Sequence, residues 1–340
     1  SDPGADPQAL PFDDIFKGLV DAAYKSLPWA DLGTSIFSAD ARQDLQKALL
    51  ANLSLLCTPV LYELFTAYKQ SKGGNDLLPS DSPSRTHYIG FIAYMQKEGF
   101  AKLFDEKPVL LRLITILTTQ WIQASTELLQ AIAQDWELIQ KKFLSQGREE
   151  AIQVIRIESS LSDHHHSGRS VHLIELSDST KVLYKPKSPK LDQAFAVLID
   201  IFNQYNPPIS LRLPSLLARD GYSWVEFIPN RPCTNIEEVD RYFYRAGAWL
   251  AIFHLYAAMD MHYENIIADG EHPIPIDLEM LLQASDSQVG AGTLGKRAQE
   301  LAVLKTQNSV LMVGLLPTYS ASKDGKVISV GGLEQSNKSG

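Results

Sequence analysis

Asp260 and Asn265 stand five positions apart in Asp260-Met261-His262-Tyr263-Glu264-Asn265, and Asp277 follows after an apolar pair and a polar turn. Each residue type suits one task in phosphoryl transfer. A carboxylate at Asp260 can accept the proton of a substrate hydroxyl. The amide oxygen of Asn265 is a hard ligand for magnesium, and the carboxylate of Asp277 is a second. Glu279, two residues further along the same strand face, can add another metal oxygen. His262 can orient Asp260 or touch a phosphate; a packed loop histidine is the plain alternative. Asp-x-x-x-x-Asn with a later Asp is the order of catalytic loop and metal-binding acid in kinases.

These residues need a scaffold. Ile266-Ile267-Ala268 and Pro273-Ile274-Pro275-Ile276 flank Asp269-Gly270-Glu271-His272, which predicts a hairpin with the acids at its two ends. A long helix is expected over Glu237 to Met259, with Val239, Phe243, Ala246, Leu250, Phe253 and Leu255 facing inward, feeding directly into Asp260. Upstream, Ile152–Ile157, Ser170–Leu176 and Lys181–Lys185 read as strands, the last two joined by the turn Ser177-Asp178-Ser179-Thr180. A helix over about 191–205 and a strand over Tyr222–Phe227 follow, the element order of a kinase small lobe. Lys185 ends its strand and can reach nucleotide phosphates as a point charge. The loop Asp163–Arg169 lies where a kinase carries its flap. There Gly168 permits close backbone approach, and Arg169 can contact phosphate. His164, His165 and His166 are consecutive and cannot readily converge on one zinc ion, so they read as loop histidines near the nucleotide. Gly290-Ala291-Gly292-Thr293-Leu294-Gly295-Lys296-Arg297 nearly spells a P-loop. Arg297 stands where Ser or Thr must ligate magnesium, and no strong strand precedes it, so the match is set aside.

Residues 1 to 148 read as helices. Phe12, Ile15, Phe16, Leu19, Val20 and Ala23 recur at helical spacing, Ser38 can cap a second helix, and Pro108 can start a long later one. Such stripes are core, and no chemistry is assigned to them. Hydrophobic residues make up 45% of the 340 and charged residues 21%, as in a globular chain with a real core. A net charge of −9 without a basic block argues against nucleic acid as a partner. Cys57 and Cys233 form no metal spacing, which makes a reducing, cytoplasmic setting the default. No apolar run approaches membrane length, and no signal peptide opens the sequence.

Together, Asp260-x-His262-x-Glu264-Asn265, Asp277-Leu278-Glu279 and Tyr184-Lys185-Pro186-Lys187 resemble the dehydratase domain of class II lanthipeptide synthetases, the LanM type. Asp163-x-His165-x-x-Gly168-Arg169-x-Val171 and Gly221-Tyr222-Ser223-Trp224-Val225-Glu226-Phe227 are similar to that family too. So are Tyr88-x-x-Phe91 and Lys107-Pro108-Val109-Leu110 with Trp121 and Asp135. Ser162 stands where the family often has Gly, and Lys187 where it often has Arg. The resemblance implies a kinase-like fold with an extra helical subdomain. It implies an enzyme that uses ATP and Mg2+ to phosphorylate Ser and Thr of a leader-bearing precursor peptide, then eliminates phosphate to leave dehydroamino acids. In that family zinc serves a separate cyclase domain. Carried over, Lys185 would hold ATP phosphates, Asp260 would activate the peptide hydroxyl, Asn265 and Asp277 would bind magnesium, and His262 and Glu279 would assist.

The expected fold is α+β, with a helical subdomain over 1–148, a kinase-like small lobe over 149–230 and the start of a large lobe over 231–340. The stretch after Asp277 is too short for a complete large lobe or a cyclase, which predicts a truncated form that is a poor catalyst alone. A small-molecule phosphotransferase of the aminoglycoside type shares the Asp-x-x-x-x-Asn loop. The long helical region and the lack of His just before Asp260 speak against it. A non-catalytic, leader-binding kinase fold is the other alternative, and it need not keep all four of Lys185, Asp260, Asn265 and Asp277.

Overall fold

The computed structural model describes residues 10–30, 32, 35–72, 85–144, 151–159, 168–282, 298, 301, 305, 309–317, 319–321, 327–329 and 331–333. The chain is α+β and forms two compact units, Ser1–Pro186 and Lys187–Gly340. The helices up to Phe143 and the strands up to Lys185 therefore share one unit.

In residues 1–186 the helices are α1 (Asp13–Lys25), α2 (Ala39–Ser71), α3 (Arg85–Tyr94), α4 (Phe100–Glu106) and α5 (Pro108–Phe143). Their boundaries follow local chemistry. Ser38 accepts a hydrogen bond from the Ala41 N–H and so caps α2, and Pro108 opens α5 where a missing N–H costs nothing. A five-residue π-helical turn, Met95–Gly99, joins α3 to α4. Heptad-like positions Leu45, Leu49, Leu53 and Leu61 of α2 are fully buried, and the last three pack with Phe16, Phe91, Met95 and Ile114. By length and composition α2 is apolar enough to cross a membrane, though one of its faces supplies this core.

Strands β1 (Val154–Glu158), β2 (His172–Leu176) and β3 (Lys181–Lys185) follow, paired antiparallel in chain order. They start two residues later than the apolar runs suggest for β1 and β2, because Ile152 and Ser170 lie outside the ladder. The β1 backbone also bonds to the chain before α2, through Val154 N–H to Ile36 and Ser38 N–H to Val154.

In residues 187–340, α6 (Lys190–Gln204) precedes the hairpin β4 (Leu216–Ala218) and β5 (Ser223–Glu226). Then come α7 (Ile236–Leu255) and the hairpin β6 (Ile266–Asp269) and β7 (His272–Pro275). A 3-10 turn at Val310–Val313 and the small hairpin β8 (Tyr319–Ala321) and β9 (Val327–Ser329) complete the described elements. The core stacks Trp249 on Phe253 at 5.2 Å between ring centres, with Phe195, Met261, Ile266, Leu278, Val313 and Leu315 around them.

The helix before Asp260 departs from its sequence reading. It stops at Leu255, not Met259, and Ala257 takes a left-handed φ of 47°. Backbone bonds outcompete helix continuation there: Met259 N–H reaches Met280 O at 2.9 Å, and Leu282 N–H reaches Tyr256 O at 2.9 Å. Phe243 and Leu255 are exposed; the inward face is Arg245, Ala246, Trp249 and Phe253.

Candidate active site

The loop Asp260–Asn265 is fixed largely by its own hydrogen bonds. Asp260 sits at φ 66°, a left-handed conformation that costs a non-glycine residue of order 1 kcal/mol. The Asn265 side-chain NH2 donates to Asp260 O at 2.7 Å and approaches Asp260 Oδ2 at 3.4 Å. Asn265 N–H donates to His262 O at 3.0 Å. These bonds commit the nitrogen end of the amide to the loop, leaving its oxygen end as the group suited to a cation.

His262 has a defined tautomer. Its Nδ1 accepts from Glu264 N–H at 3.1 Å, so the ring proton sits on Nε2, which donates to Asp260 Oδ1 at 3.1 Å. The histidine thereby orients the Asp260 carboxylate, which stays half-exposed.

The hairpin carries the loop to the second acid. Ile276 N–H donates to Asn265 O at 2.9 Å, which sets Asp277 next to the end of the loop. The β6–β7 register pairs Asp269 with His272 around a two-residue turn, and Gly270, at φ 58°, supplies the positive angle that such a turn needs at its first central position. Asp277 Oδ1 accepts from Glu279 N–H at 3.2 Å, so the two acids are held as a local pair. Lys187 stands against both, with Nζ at 3.0 Å from Asp277 Oδ1 and 3.4 Å from Glu279 Oε2. Burial pushes the Lys187 ammonium down, but Asp277 and then Glu279 outweigh it and hold the group above its ordinary range.

Arginines pin the tip of the hairpin. The Asp269 carboxylate, 3% exposed, receives Arg212 at 2.7 Å and Arg231 at 2.5 Å. Arg212 also forks onto Glu226 at the end of β5. Arg245 donates to the Glu271 carbonyl at 3.1 Å and pairs with its carboxylate at 2.7 Å, where Arg241 joins it. Hydrogen bonding from Arg231, with Arg212 behind it, holds the Asp269 carboxyl below its usual range. Deeper in, the Trp249 indole N–H donates to Pro273 O at 2.8 Å. The other side of the loop leans on backbone far along the chain. Met261 N–H donates to Val313 O at 2.8 Å, and Gly332 N–H to Gly314 O at 3.1 Å. A Cβ at Gly332 would lie 2.5 Å from Met261 O, and one at Gly314 3.2 Å from Met261 N, so both positions are closed to side chains.

Asp260, His262, Asn265, Asp277 and Glu279 thus lie in one unit, joined through the β6–β7 hairpin. Three further residues proposed from the sequence lie in the other. Lys185 is the buried last residue of β3. Gly168 has φ 86°, and its Cα backs onto the Gln120 side chain, where an added Cβ would lie 3.0 Å away. Arg169 forks onto Glu127 of α5 with two contacts of 2.7 Å, so an anion at Arg169 must share the guanidinium with that carboxylate. The flap histidines His164–His166 and the stretch Gly290–Arg297 lie outside the described residues. A groove of about 760 Å3 also opens in residues 1–186, lined by Leu55, Leu113, Ile116, Trp121, Ser159 and His172 among others.

Sequence reasoning missed Lys187, Arg212, Arg231, Asp269, Gly314 and Gly332. Lys187 stood out only as the residue in place of the Arg frequent in the family's version of Tyr184-Lys185-Pro186-Lys187; the other signals were the charge of Arg212, Arg231 and Asp269 and the apolar run Val310–Leu316 with Gly331-Gly332. No group of three or more His, Cys, Asp or Glu side chains is placed to hold a metal among the described residues. The available set is smaller and all oxygen: Asn265, Asp277 and Glu279. That composition fits magnesium, which usually takes one or two carboxylates and completes its shell with water and phosphate.

Residues 108–339 match a family described as a domain of unknown function, DUF4135, and the chain belongs to that family. The match begins at the first residue of α5. Among curated proteins, the chain is similar to the lacticin 481/lactococcin biosynthesis protein LcnDR2 of Lactococcus lactis subsp. lactis, with 23% identity over 230 residues. The alignment takes in 65% of this chain and 24% of LcnDR2, so the chain spans about a quarter of that relative's length. These matches bear out the likeness to class II lanthipeptide synthetases read from the motifs.

Proposed function

We propose that the chain contributes the phosphorylation site of a lanthipeptide-type dehydratase. In this reading ATP and Mg2+ are used to phosphorylate Ser and Thr hydroxyls of a precursor peptide, and phosphate is then eliminated to leave dehydroalanine or dehydrobutyrine. The observation that carries the reading is the Asp260–His262–Asn265 loop, with Asp260 in a left-handed conformation and His262 Nε2–H on its carboxylate. The kinship with a lantibiotic biosynthesis protein supports a peptide as the substrate.

Each residue then has one role. Asp260 accepts the proton of the Ser or Thr hydroxyl as its oxygen attacks the γ-phosphorus of ATP; the bond from that phosphorus to the β,γ-bridging oxygen breaks and ADP leaves. His262 orients Asp260 through the Nε2–H bond to its carboxylate. Asn265 and Asp277 would hold magnesium, with Glu279 as a further oxygen. An ion held there would neutralise charge on the phosphates. The family resemblance assigns Lys185, Gly168 and Arg169 to the nucleotide phosphates, Lys185 as a positive charge. No residue of this chain is assigned to the elimination step.

The test is calorimetry of ATP binding with and without Mg2+, on the chain and on Asp277→Asn. It is followed by mass spectrometry of a Ser-containing precursor peptide for gain of phosphate or loss of water. Binding that needs both the ion and Asp277 supports the site. ATP binding unchanged by Asp277→Asn would show the acid misassigned.

A further inference from the structure

The two acids assigned to a metal already face a cation belonging to the chain itself. Lys187 lies just before α6, whereas Asp277 follows β7, so their contact is tertiary and is not imposed by sequence neighbourhood. Lys187 Nζ lies within 3.0 Å of Asp277 Oδ1 and 3.4 Å of Glu279 Oε2, with the lysine and Asp277 side chains both about one-third exposed. Asp277 Oδ1 also receives the Glu279 N–H, which keeps the two carboxylates close. Two carboxylates at this spacing repel each other, and a positive charge between them relieves that repulsion. A divalent ion on the same oxygens would supply the same relief and would itself repel an ammonium at this distance. The lysine and the ion are therefore alternatives.

We propose that Lys187 is a tethered counter-cation, a positioning residue. It holds Asp277 and Glu279 together before a divalent ion arrives, gives up their oxygens when the ion binds, and so sets the ion concentration at which the site fills. This rests on the reading of Asp277 and Glu279 as metal ligands.

The test uses Mn2+ alone, without nucleotide, on the full chain. Mn2+ affinity is measured by the loss of the free-ion electron paramagnetic resonance signal for wild type, Lys187→Met, Lys187→Gln and Asp277→Asn. Melting curves check folding, and the glutamine variant serves if the methionine variant does not fold. Losing an ion pair of this exposure should tighten Mn2+ binding by roughly three- to fivefold in both lysine variants. In wild type, acylation of Lys187 by an amine-reactive reagent, followed by peptide mapping, should speed up as Mn2+ is added. If the lysine variants bind Mn2+ no tighter than wild type while Asp277→Asn abolishes binding, the metal site stands and the role of Lys187 falls. If Lys187 acylation is insensitive to bound Mn2+, displacement is refuted. If Asp277→Asn binds Mn2+ like wild type, or none of the four proteins binds it, the metal reading itself fails.

Discussion

The two compact units hold their residues of interest by opposite means. In residues 187–340 the loop Asp260–Asn265 and the acid Asp277 sit on irregular backbone. The hairpin between them is clamped by charge at its tip: Arg212 and Arg231 on Asp269, and Arg241 and Arg245 on Glu271. In residues 1–186 a layer of helices interlocks Leu49, Leu53, Leu61 and Phe91 with no charge in the contact, and Lys185 is the end of a regular strand. Apolar packing gives stability without fixing where a single polar atom lies. Directional bonds fix single atoms but add little stability where water reaches them. The division suits the proposed chemistry, in which oxygen ligands need exact placement and the helical layer needs only to persist.

The contrast can be broken first at its centre. Asp260→Asn keeps the size of a half-exposed side chain and removes the proton acceptor. Peptide phosphorylation, followed by mass spectrometry, should fall by about a hundredfold to ten-thousandfold, with the melting temperature nearly unchanged. Leu53→Ala should do the reverse. Its side chain is fully buried in the helical core, and truncation should cost about 2–5 kcal/mol in denaturant titrations while Mn2+ binding by residues 187–340 is retained below the transition. Comparable loss of Mn2+ binding in Leu53→Ala would show that the two units do not hold their sites independently.

How much could be seen in advance follows the same division. The loop Asp260–Asn265 was legible as one short stretch because the chemistry proposed for it restricts residue types at fixed spacing. Ser38, Pro108, Gly270 and the β3 strand were legible because each acts on its immediate neighbours. The supports were not. Asp269 read as a turn residue, since nothing local ties it to Arg212 or Arg231, which lie 57 and 38 positions away. The run Val310–Leu316 props the loop from across a polar stretch, and only backbone contact with Met261 gives it meaning. Helical periodicity placed Phe243 and Leu255 inward because a period identifies a stripe without saying where the helix ends. The stop at Leu255 is set by the bonds of Tyr256 and Met259 to the segment after Glu279, a tertiary effect. Lys187 read as a departure from a motif, although the structure brings it to the two acids.

Two intermediate effects sharpen the comparison. Asp269 has its folded-state pKa lowered below the ordinary 3.8 by Arg231 and Arg212. Its contribution is therefore complete above the unfolded value and is lost as pH falls through 3.8 toward the folded one. Asp269→Asn should cost about 1.5–3 kcal/mol at neutral pH and flatten the fall in stability between about pH 5 and pH 2, read from urea midpoints across that range. Gly332→Ala drives a methyl into Met261 O. It should cost about 1–2 kcal/mol and weaken Mn2+ binding more than it lowers the melting temperature would suggest, because the shift is delivered to the loop.

The smallest effect tests whether the charge-holds-position rule extends into residues 1–186. Arg169 and Glu127 meet in a two-point fork, each about one-third exposed, and Glu127 is held below its usual range chiefly by that fork. Pairs of this exposure are worth about 0.2–1 kcal/mol, so Arg169→Ala and Glu127→Ala should each shift stability by no more than that, with a double-mutant cycle giving their coupling. ATP affinity separates two roles for the fork. If Arg169 also serves the nucleotide phosphates, Arg169→Ala lowers affinity while Glu127→Gln raises it by releasing the guanidinium. If the fork only braces the chain where the flap rejoins β2, the two variants change affinity in the same direction and by the same amount. Opposite signs would mean that the helical unit, too, holds one polar group for chemistry by charge, and that Glu127 stands to Arg169 as Lys187 stands to Asp277.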